Sequence, residues 1–248
     1  MMRLKKYIPN ALTMGNLLSG CIAVLFAVHD QMEYVAFFVA LGIFFDFFDG
    51  FFARLFNVQS EVGLQLDSLA DMVTSGVVPG VVMYQLLLDA TDIPWGASLD
   101  AYHFNIAYIG FIITMASAYR LAKFNVDDRQ TNSFIGLPTP ANALFIISIP
   151  LILIYGEYAF AKAVFTNPYA LIAIAIASTY MLNAEIHLFA LKFKTWDFAK
   201  NKVRYLFLAA SIVLILLLQY VAIPLLIVLY VVLSLAFPDK NIDSIEKE

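Results

Sequence analysis

Eight apolar runs occupy most of this chain, at 10–28, 33–56, 64–88, 104–124, 139–155, 168–191, 203–219 and 221–237. An α-helix needs roughly 20 residues to cross the hydrocarbon core of a bilayer, which is the scale of these runs. A backbone in lipid must satisfy its own hydrogen bonds, so only helices and closed barrels can span it. Continuous apolar runs, without the alternation of barrel strands, select the first solution. The expected fold is all-α: a polytopic transmembrane helix bundle of about eight spans. Of 248 residues, 62% are apolar and 14% are charged, which leaves no room for a soluble domain. The connections are short and no repeat is visible. Residues 1–248 therefore read as one integral membrane domain, with a short polar tail at 239–248.

Orientation follows from the bias of Lys and Arg toward cytoplasmic loops. With the N-terminus inside, Arg3, Lys5, Lys6, Arg54, Arg120, Lys123, Arg129, Lys192, Lys194, Lys200, Lys202, Arg204, Lys240 and Lys247 all fall at or near the cytoplasmic face. Lys162 falls outside, among loops that carry Asp30, Glu33, Asp89, Asp92, Asp100 and Glu157. Both termini are thus expected in the cytoplasm. Six spans would give the same sides, so the count stays open: only Gln219 and Tyr220 separate the last two runs, which can form a hairpin.

The basic start followed by an apolar stretch has a second reading as a signal peptide, with Leu18-Ser19-Gly20-Cys21 as a lipoprotein cleavage box. Against it, Pro9, Asn10 and Asn16 interrupt the stretch, and the apolar run continues past Cys21 to Val28. Cys21 is the one cysteine of the chain, which excludes an intramolecular disulfide; it is expected to be a small packing residue.

The chemistry lies in the acids. Asp46, Asp49, Gly50 and Ala53 recur at helical spacing along the second run, with Arg54 one turn beyond Gly50. After a polar connection from Asn57 to Glu61, Gly63, Asp67 and Asp71 recur every four residues along the third. Two antiparallel helices can therefore aim two carboxylates each at one space, which the small residues keep open. An ionised carboxylate at the centre of a membrane helix costs about 2.5–3.5 kcal/mol, and four together also repel. A divalent cation relieves both penalties, since Mg²⁺ and Mn²⁺ favour carboxylate oxygen. Four acids can hold two such ions in the arrangement that clamps the oxygens of a phosphoryl displacement, with Arg54 as a phosphate partner. By spacing and burial alone, a cation or proton path and a structural ion-pair network stay open beside metal-phosphate chemistry. Arg54 alone cannot neutralise four acids.

The full string is Asp46-x-x-Asp49-Gly50-x-x-Ala53-Arg54, eight residues, then Gly63-x-x-x-Asp67-x-x-x-Asp71. It resembles the signature of the CDP-alcohol phosphatidyltransferase family, with every specified position filled. The resemblance implies an integral membrane enzyme with a six-span core, here with two spans added, commonly a homodimer. Such enzymes displace CMP from a CDP-linked lipid or alcohol. It also implies that Asp46, Asp49, Asp67 and Asp71 hold two divalent cations, Mg²⁺ or Mn²⁺, and that Asp71 is the general base. Gly50, Arg54 and Ser60 match positions that contact the nucleotide and its diphosphate; Ser60 reads equally as the N-cap of the third helix. Asn10 and Thr13, in Pro9-Asn10-Ala11-Leu12-Thr13, resemble the first-helix segment that approaches the nucleotide.

Substrate choice rests on other segments. Tyr119-Arg120-Leu121-Ala122-Lys123-Phe124-Asn125-Val126 and Phe134-Ile135-Gly136-Leu137-Pro138-Thr139-Pro140-Ala141-Asn142 resemble the matching region of the serine-accepting subgroup. The Pro9-Asn10 and Gly15-Asn16-Leu17 segments fit it too. The implied reaction joins CDP-diacylglycerol and L-serine to give phosphatidylserine and CMP, at a site facing the cytoplasm from a bacterial inner membrane. Membrane lipids are the expected surroundings, and no nucleic-acid partner is expected. Arg120 and Lys123 are candidate cations for the serine carboxylate or the diphosphate, with Asn125 and Asn142 as hydrogen-bonding partners. Arg120, Lys123 and Arg129 read equally as topology anchors. Glycerol 3-phosphate or inositol as acceptor, and cation transport, are the rival functions. His187, expected in the sixth span, reads as an interhelical packing or hydrogen-bonding residue. The phenylalanines around the acids read as lipid-facing and packing surface.

Overall fold

A computed structural model describes residues 7–95, 105–127, 134–188 and 201–236. The polar tail at 239–248, Arg129 and the cluster Lys192, Lys194 and Lys200 lie outside these residues. The protein is built from α1 (Tyr7–Val28), α2 (Met32–Leu55), α3 (Glu61–Ala90), α4 (Ile112–Phe124), α5 (Thr139–Tyr155), α6 (Ala159–Phe165), α7 (Pro168–Asn183), α8 (Lys202–Leu218) and α9 (Ala222–Ala236). A 3₁₀ turn at Ile106–Phe111 leads into α4. Each predicted run has a helix, but not every helix is by itself as long as a full span. Among the described residues, four stretches are long and apolar enough to cross a membrane: α1, α2, α3 and 204–236. A fifth is gained if α6 and α7, bent by 77°, make one span.

The last of these stretches is folded back on itself. The rings of Phe207 and Tyr230 lie 5.8 Å apart, whereas 23 residues of continuous helix would separate them by about 34 Å. The reversal is made at Gln219, whose φ of 47° breaks the helix. The last two runs are therefore antiparallel helices, with Tyr220 stacked on Tyr155 at the tip of the reversal.

The packing of α1 is written in its small and polar residues. Pro9, Thr13, Asn16, Gly20, Ala23 and Ala27 fall at alternating intervals of four and three, and all are buried. Membrane helices lack a hydrophobic drive to associate, so close backbone approach through such residues supplies the contact. Leu18, Cys21 and Leu25 occupy the opposite, exposed face. Cys21 is thus not the packing residue expected; the neighbouring Gly20 and Ala23 take that role because they lie on the inward stripe. On α2 the same rhythm buries Met32, Val35, Val39, Gly42 and Asp49, while Phe37, Phe44, Phe47 and Phe51 face outward. The acids continue the packing face of the helix.

The central element is α3, 78% buried along its apolar window, against 33% for α1 and 22% for α2. It is not a uniform α-helix. Glu61–Asp71 is α-helical, Met72–Val77 is one π-helical turn, and Val78–Ala90 is α-helical again. Pro79 accounts for the break, since it has no N–H and its ring clashes with the carbonyl four residues earlier. The wider turn accommodates that ring within a helix that continues.

Two short strands depart from the all-α expectation. β1 (Phe134–Ile135) pairs antiparallel with β2 (His187–Leu188) at one end of the bundle. The sixth apolar run therefore leaves the helix at Asn183, and His187 sits in a ladder opposite Ile135 rather than in a span. The physical cause is Arg120, whose guanidinium donates to the carbonyls of both Leu182 and Ile135 at 2.7 Å. Gly136, at φ 75°, closes the same knot. A Cβ there would lie 2.7 Å from the Arg120 Nη1 and from the Leu182 carbonyl oxygen.

Candidate active site

The connection between α2 and α3 explains how the four acids face one another. Asn57 adopts φ 54°, a left-handed conformation that Asn tolerates well, and ends α2. The Ser60 Oγ accepts the Gly63 N–H at 3.1 Å and so caps α3, as one of its two sequence readings predicts. The turn is short enough to set the last turns of α2 beside the first turns of α3.

Carboxylate oxygens of Asp46, Asp49 and Asp67 all lie within 4.8 Å of one another. Asp67 Oδ1 is buried and has no hydrogen-bond partner among the described residues. An all-oxygen set with an orphaned buried acceptor is what a hard divalent cation requires, so the residues fit Mg²⁺ or Mn²⁺. Asp71 stands outside this group of three. Its Oδ1 accepts the side-chain amide of Asn16 at 3.1 Å.

A cleft of ≈ 520 Å³ opens beside the acids. Asp49 and Asp67 lie on its wall, together with Asn10, Thr13, Gly50, Arg54 and Ser60. All five positions predicted for the lipid nucleotide are thus gathered in one space. Gly50 leaves that space open below the Arg54 guanidinium, with 3.5 Å between Nη1 and the position a Cβ would take. Thr13 reaches the acids directly, its hydroxyl donating to Asp49 Oδ2 at 2.6 Å.

The four residues predicted for the acceptor do not line this cleft. Arg120 is buried and committed to the two carbonyls described above. Lys123 forms a partly exposed ion pair with Glu185 at 3.3 Å. Asn125 donates to Ser68 Oγ at 2.9 Å and more weakly to Gln65, which ties the end of α4 to the first turns of α3. Asn142 is fully buried at the start of α5, and neither amide atom has a partner among the described residues.

Sequence reasoning noted Asn16 only as part of a segment and passed over Thr74. Thr74, in the π-turn, donates its hydroxyl to the Asn16 carbonyl at 3.1 Å. The available signal was the inward stripe of α1, where Asn16 follows Thr13 by three and precedes Gly20 by four.

The sequence is similar to those of known proteins. Residues 6–181 match the sequence model of the CDP-alcohol phosphatidyltransferase family. The chain is 30% identical over 159 residues to the CDP-diacylglycerol–serine O-phosphatidyltransferase of Bacillus subtilis, covering 60% of this chain and 81% of that protein. It is 30% identical over 149 residues to the enzyme of the same name from Mycobacterium leprae, covering 57% of this chain and 46% of the relative. Archaetidylserine synthase of Methanothermobacter thermautotrophicus is 29% identical over 153 residues, 60% of each chain. The chain thus spans less than two thirds of the mycobacterial and archaeal proteins. The match to the family runs from α1 into α7 and contains the acids, the cleft and the turn that joins them. The chain belongs to the CDP-alcohol phosphatidyltransferase family.

Proposed function

We propose that this protein transfers the phosphatidyl group of CDP-diacylglycerol to L-serine, giving phosphatidylserine and CMP. The observation that carries this reading is the group of carboxylates within 4.8 Å, opening on a cleft walled by Asn10, Thr13, Gly50, Arg54 and Ser60. The serine acceptor is supported by the names of the Bacillus and Mycobacterium relatives. Asp46, Asp49, Asp67 and Asp71 would hold two divalent cations, which supply charge neutralisation at the diphosphate and on the departing CMP.

The chain's own residues do the rest. Arg54, at the rim, pairs with phosphate oxygens; Gly50 and Gly63 admit the diphosphate close to the backbone. Asn10, Thr13 and Ser60 flank the nucleotide. Asp71 takes the proton from the serine hydroxyl as its oxygen forms the new bond to phosphorus and the bond to the CMP oxygen breaks. A primary alcohol is hardly ionised at neutral pH, and a positioned base contributes typically 10²- to 10⁴-fold. The acceptor carboxylate is assigned to the end of α4. There Lys123 is held, among the described residues, only by a partly exposed pair that opens at little cost, and Asn125 adds polar contacts while Arg120 braces the loop.

The same reading sets the eight helical runs as spans in a bacterial cytoplasmic membrane, with both termini and the site at the cytoplasmic face, in a homodimer. It is supported by the charge of the two ends: Arg54, Arg120 and Lys123 lie at the end with the acids, and Asp30, Glu33, Asp89 and Asp92 at the other.

The test is CMP release by purified protein supplied with CDP-diacylglycerol, Mg²⁺ or Mn²⁺, and one alcohol at a time. Release with serine is expected. Release with glycerol 3-phosphate or inositol in its place would reassign the acceptor. Cation flux in liposomes without any CMP release would replace the reading with transport.

A further inference from the structure

We infer that Asn16 is the positioning residue for Asp71, and that Thr74 of the π-turn locks Asn16 in place. The inference rests on the reading of Asp71 as the base that receives the acceptor's proton. Asp71 lies outside the group of three whose oxygens fall within 4.8 Å, so the orientation of its carboxylate rests on a contact of its own besides any cation it would share.

Asn16 is fully buried on the inward stripe of α1, and its amide N–H donates to Asp71 Oδ1 at 3.1 Å. The other end of the same amide shows how strictly this orientation is set. Asn16 Oδ1 is buried without a hydrogen-bond partner among the described residues, facing Gly42 of α2. Leaving a buried acceptor unmade is unfavourable, yet turning the amide over would set its oxygen against a carboxylate. Donation to Asp71 therefore dictates the rotamer, and it leaves Asp71 Oδ2 free of Asn16.

The backbone of Asn16 is gripped as well. The Thr74 hydroxyl donates to the Asn16 carbonyl at 3.1 Å, so α3 holds one residue of α1 by its side chain through Asp71 and by its main chain through Thr74. Asp71 ends the α-helical part of α3 and Thr74 lies in the π-turn that follows it. That turn presents both groups to the same partner. Two glycines make the room: a Cβ on Gly20 would lie 3.0 Å from the Thr74 backbone, and one on Gly42 would lie 2.7 Å from Thr74 Cγ2 and 2.9 Å from Asn16 Oδ1. Three helices thus close on one amide.

The experiment uses full-length protein purified into lipid nanodiscs, with kcat and KM read from CMP release and folding read from thermal unfolding. Asn16→Ala and the near-isosteric Asn16→Asp are expected to lower kcat by about 10- to 100-fold, the usual cost of removing a partner that orients a site carboxylate. KM for CDP-diacylglycerol should change far less. Asp71→Asn is measured in parallel, and the double variant Asn16→Ala with Asp71→Asn should be no slower than Asp71→Asn alone, because Asn16 acts through Asp71. Losses that multiply, or an unchanged kcat in Asn16→Ala beside an inactive Asp71→Asn, would overturn the positioning role and leave the base intact. Near-normal turnover in Asp71→Asn would instead remove the base reading itself. If the Asn16 variants do not fold, Thr74→Val carries the test, since it keeps shape and loses the hydroxyl. A lower kcat at unchanged KM supports the proposal, and an unchanged kcat overturns it.

Discussion

The Thr13 hydroxyl lies 2.6 Å from Asp49 Oδ2, so the first helix supports one of the acids of the second. A hydroxyl donating to a carboxylate fixes which oxygen lone pairs remain for a cation. Thr13 was expected at the nucleotide, and its place on the cleft wall serves that role too. The two roles separate in Thr13→Val, which keeps the shape and loses the donor. The Mg²⁺ or Mn²⁺ concentration for half-maximal CMP release should rise by about 10- to 100-fold, the range for lost outer partners of metal ligands. A titration that moves only the KM for CDP-diacylglycerol would assign Thr13 to the nucleotide alone.

Gly50 tests the cleft from the other side. A Cβ at this position meets nothing closer than Arg54 Nη1 at 3.5 Å, an ordinary contact, and Ala favours a helix interior over Gly, so Gly50→Ala should fold with an unfolding temperature at or above that of wild type. The added methyl projects into the space beneath the guanidinium, where the diphosphate is assigned. KM for CDP-diacylglycerol should increase several-fold, while KM for serine stays close to wild type. Steady-state kinetics against both substrates reads the difference.

Arg120 and Lys123 are three residues apart on α4, and their substitutions should behave differently. Arg120→Ala leaves the carbonyls of Ile135 and Leu182 without their charged donor, and hydrogen bonds to charged groups contribute roughly 1.5–3 kcal/mol each. A loss of about 3 kcal/mol or more is expected, read as a lower unfolding temperature. Arg120→Lys should recover part of it, because one ammonium does not reproduce the planar fork. Lys123→Ala breaks an ion pair whose Glu185 side chain is 66% exposed, and should change stability by about 0–1 kcal/mol. Its effect belongs in the serine KM.

How much of this was legible in the sequence depends on the range of the interaction. The acids, their helices and the cleft residues follow from spacing along two segments joined by a short turn, and the hairpin at Gln219 follows from the length of two apolar runs. The Arg120 knot was not legible, since it joins residues 62 apart through backbone carbonyls that every residue type carries. The strands at 134–135 and 187–188 depend on that knot and were missed with it. The π-turn has a local cause in Pro79, but a proline in an apolar run predicts a kink as readily as a widened turn. Asn16 stood in plain view on the stripe of α1. Its partner Asp71 lies 55 residues away, on a face that only the assembled helices define.

The same carboxylates that make the site also burden the fold when no cation is bound. Asp46, Asp49 and Asp67 place oxygens within 4.8 Å, in a region where water is scarce and like charges repel strongly. A cation bound to the folded protein therefore stabilises it, by about 2.7 kcal/mol at a hundredfold excess over its dissociation constant. Wild-type protein stripped with EDTA should lose CMP release and melt at a lower temperature, and both should return on addition of Mn²⁺ or Mg²⁺. Asp67→Asn removes one of the three charges with little change of volume. This variant should be inactive, should melt higher than wild type in EDTA because the repulsion is reduced, and should gain little from added cation. Calorimetry or a fluorescence melt with and without Mn²⁺ checks the prediction independently of turnover. An Asp67→Asn protein that melts lower than wild type in EDTA, and gains as much from Mn²⁺, would mean that these oxygens do not hold the ion.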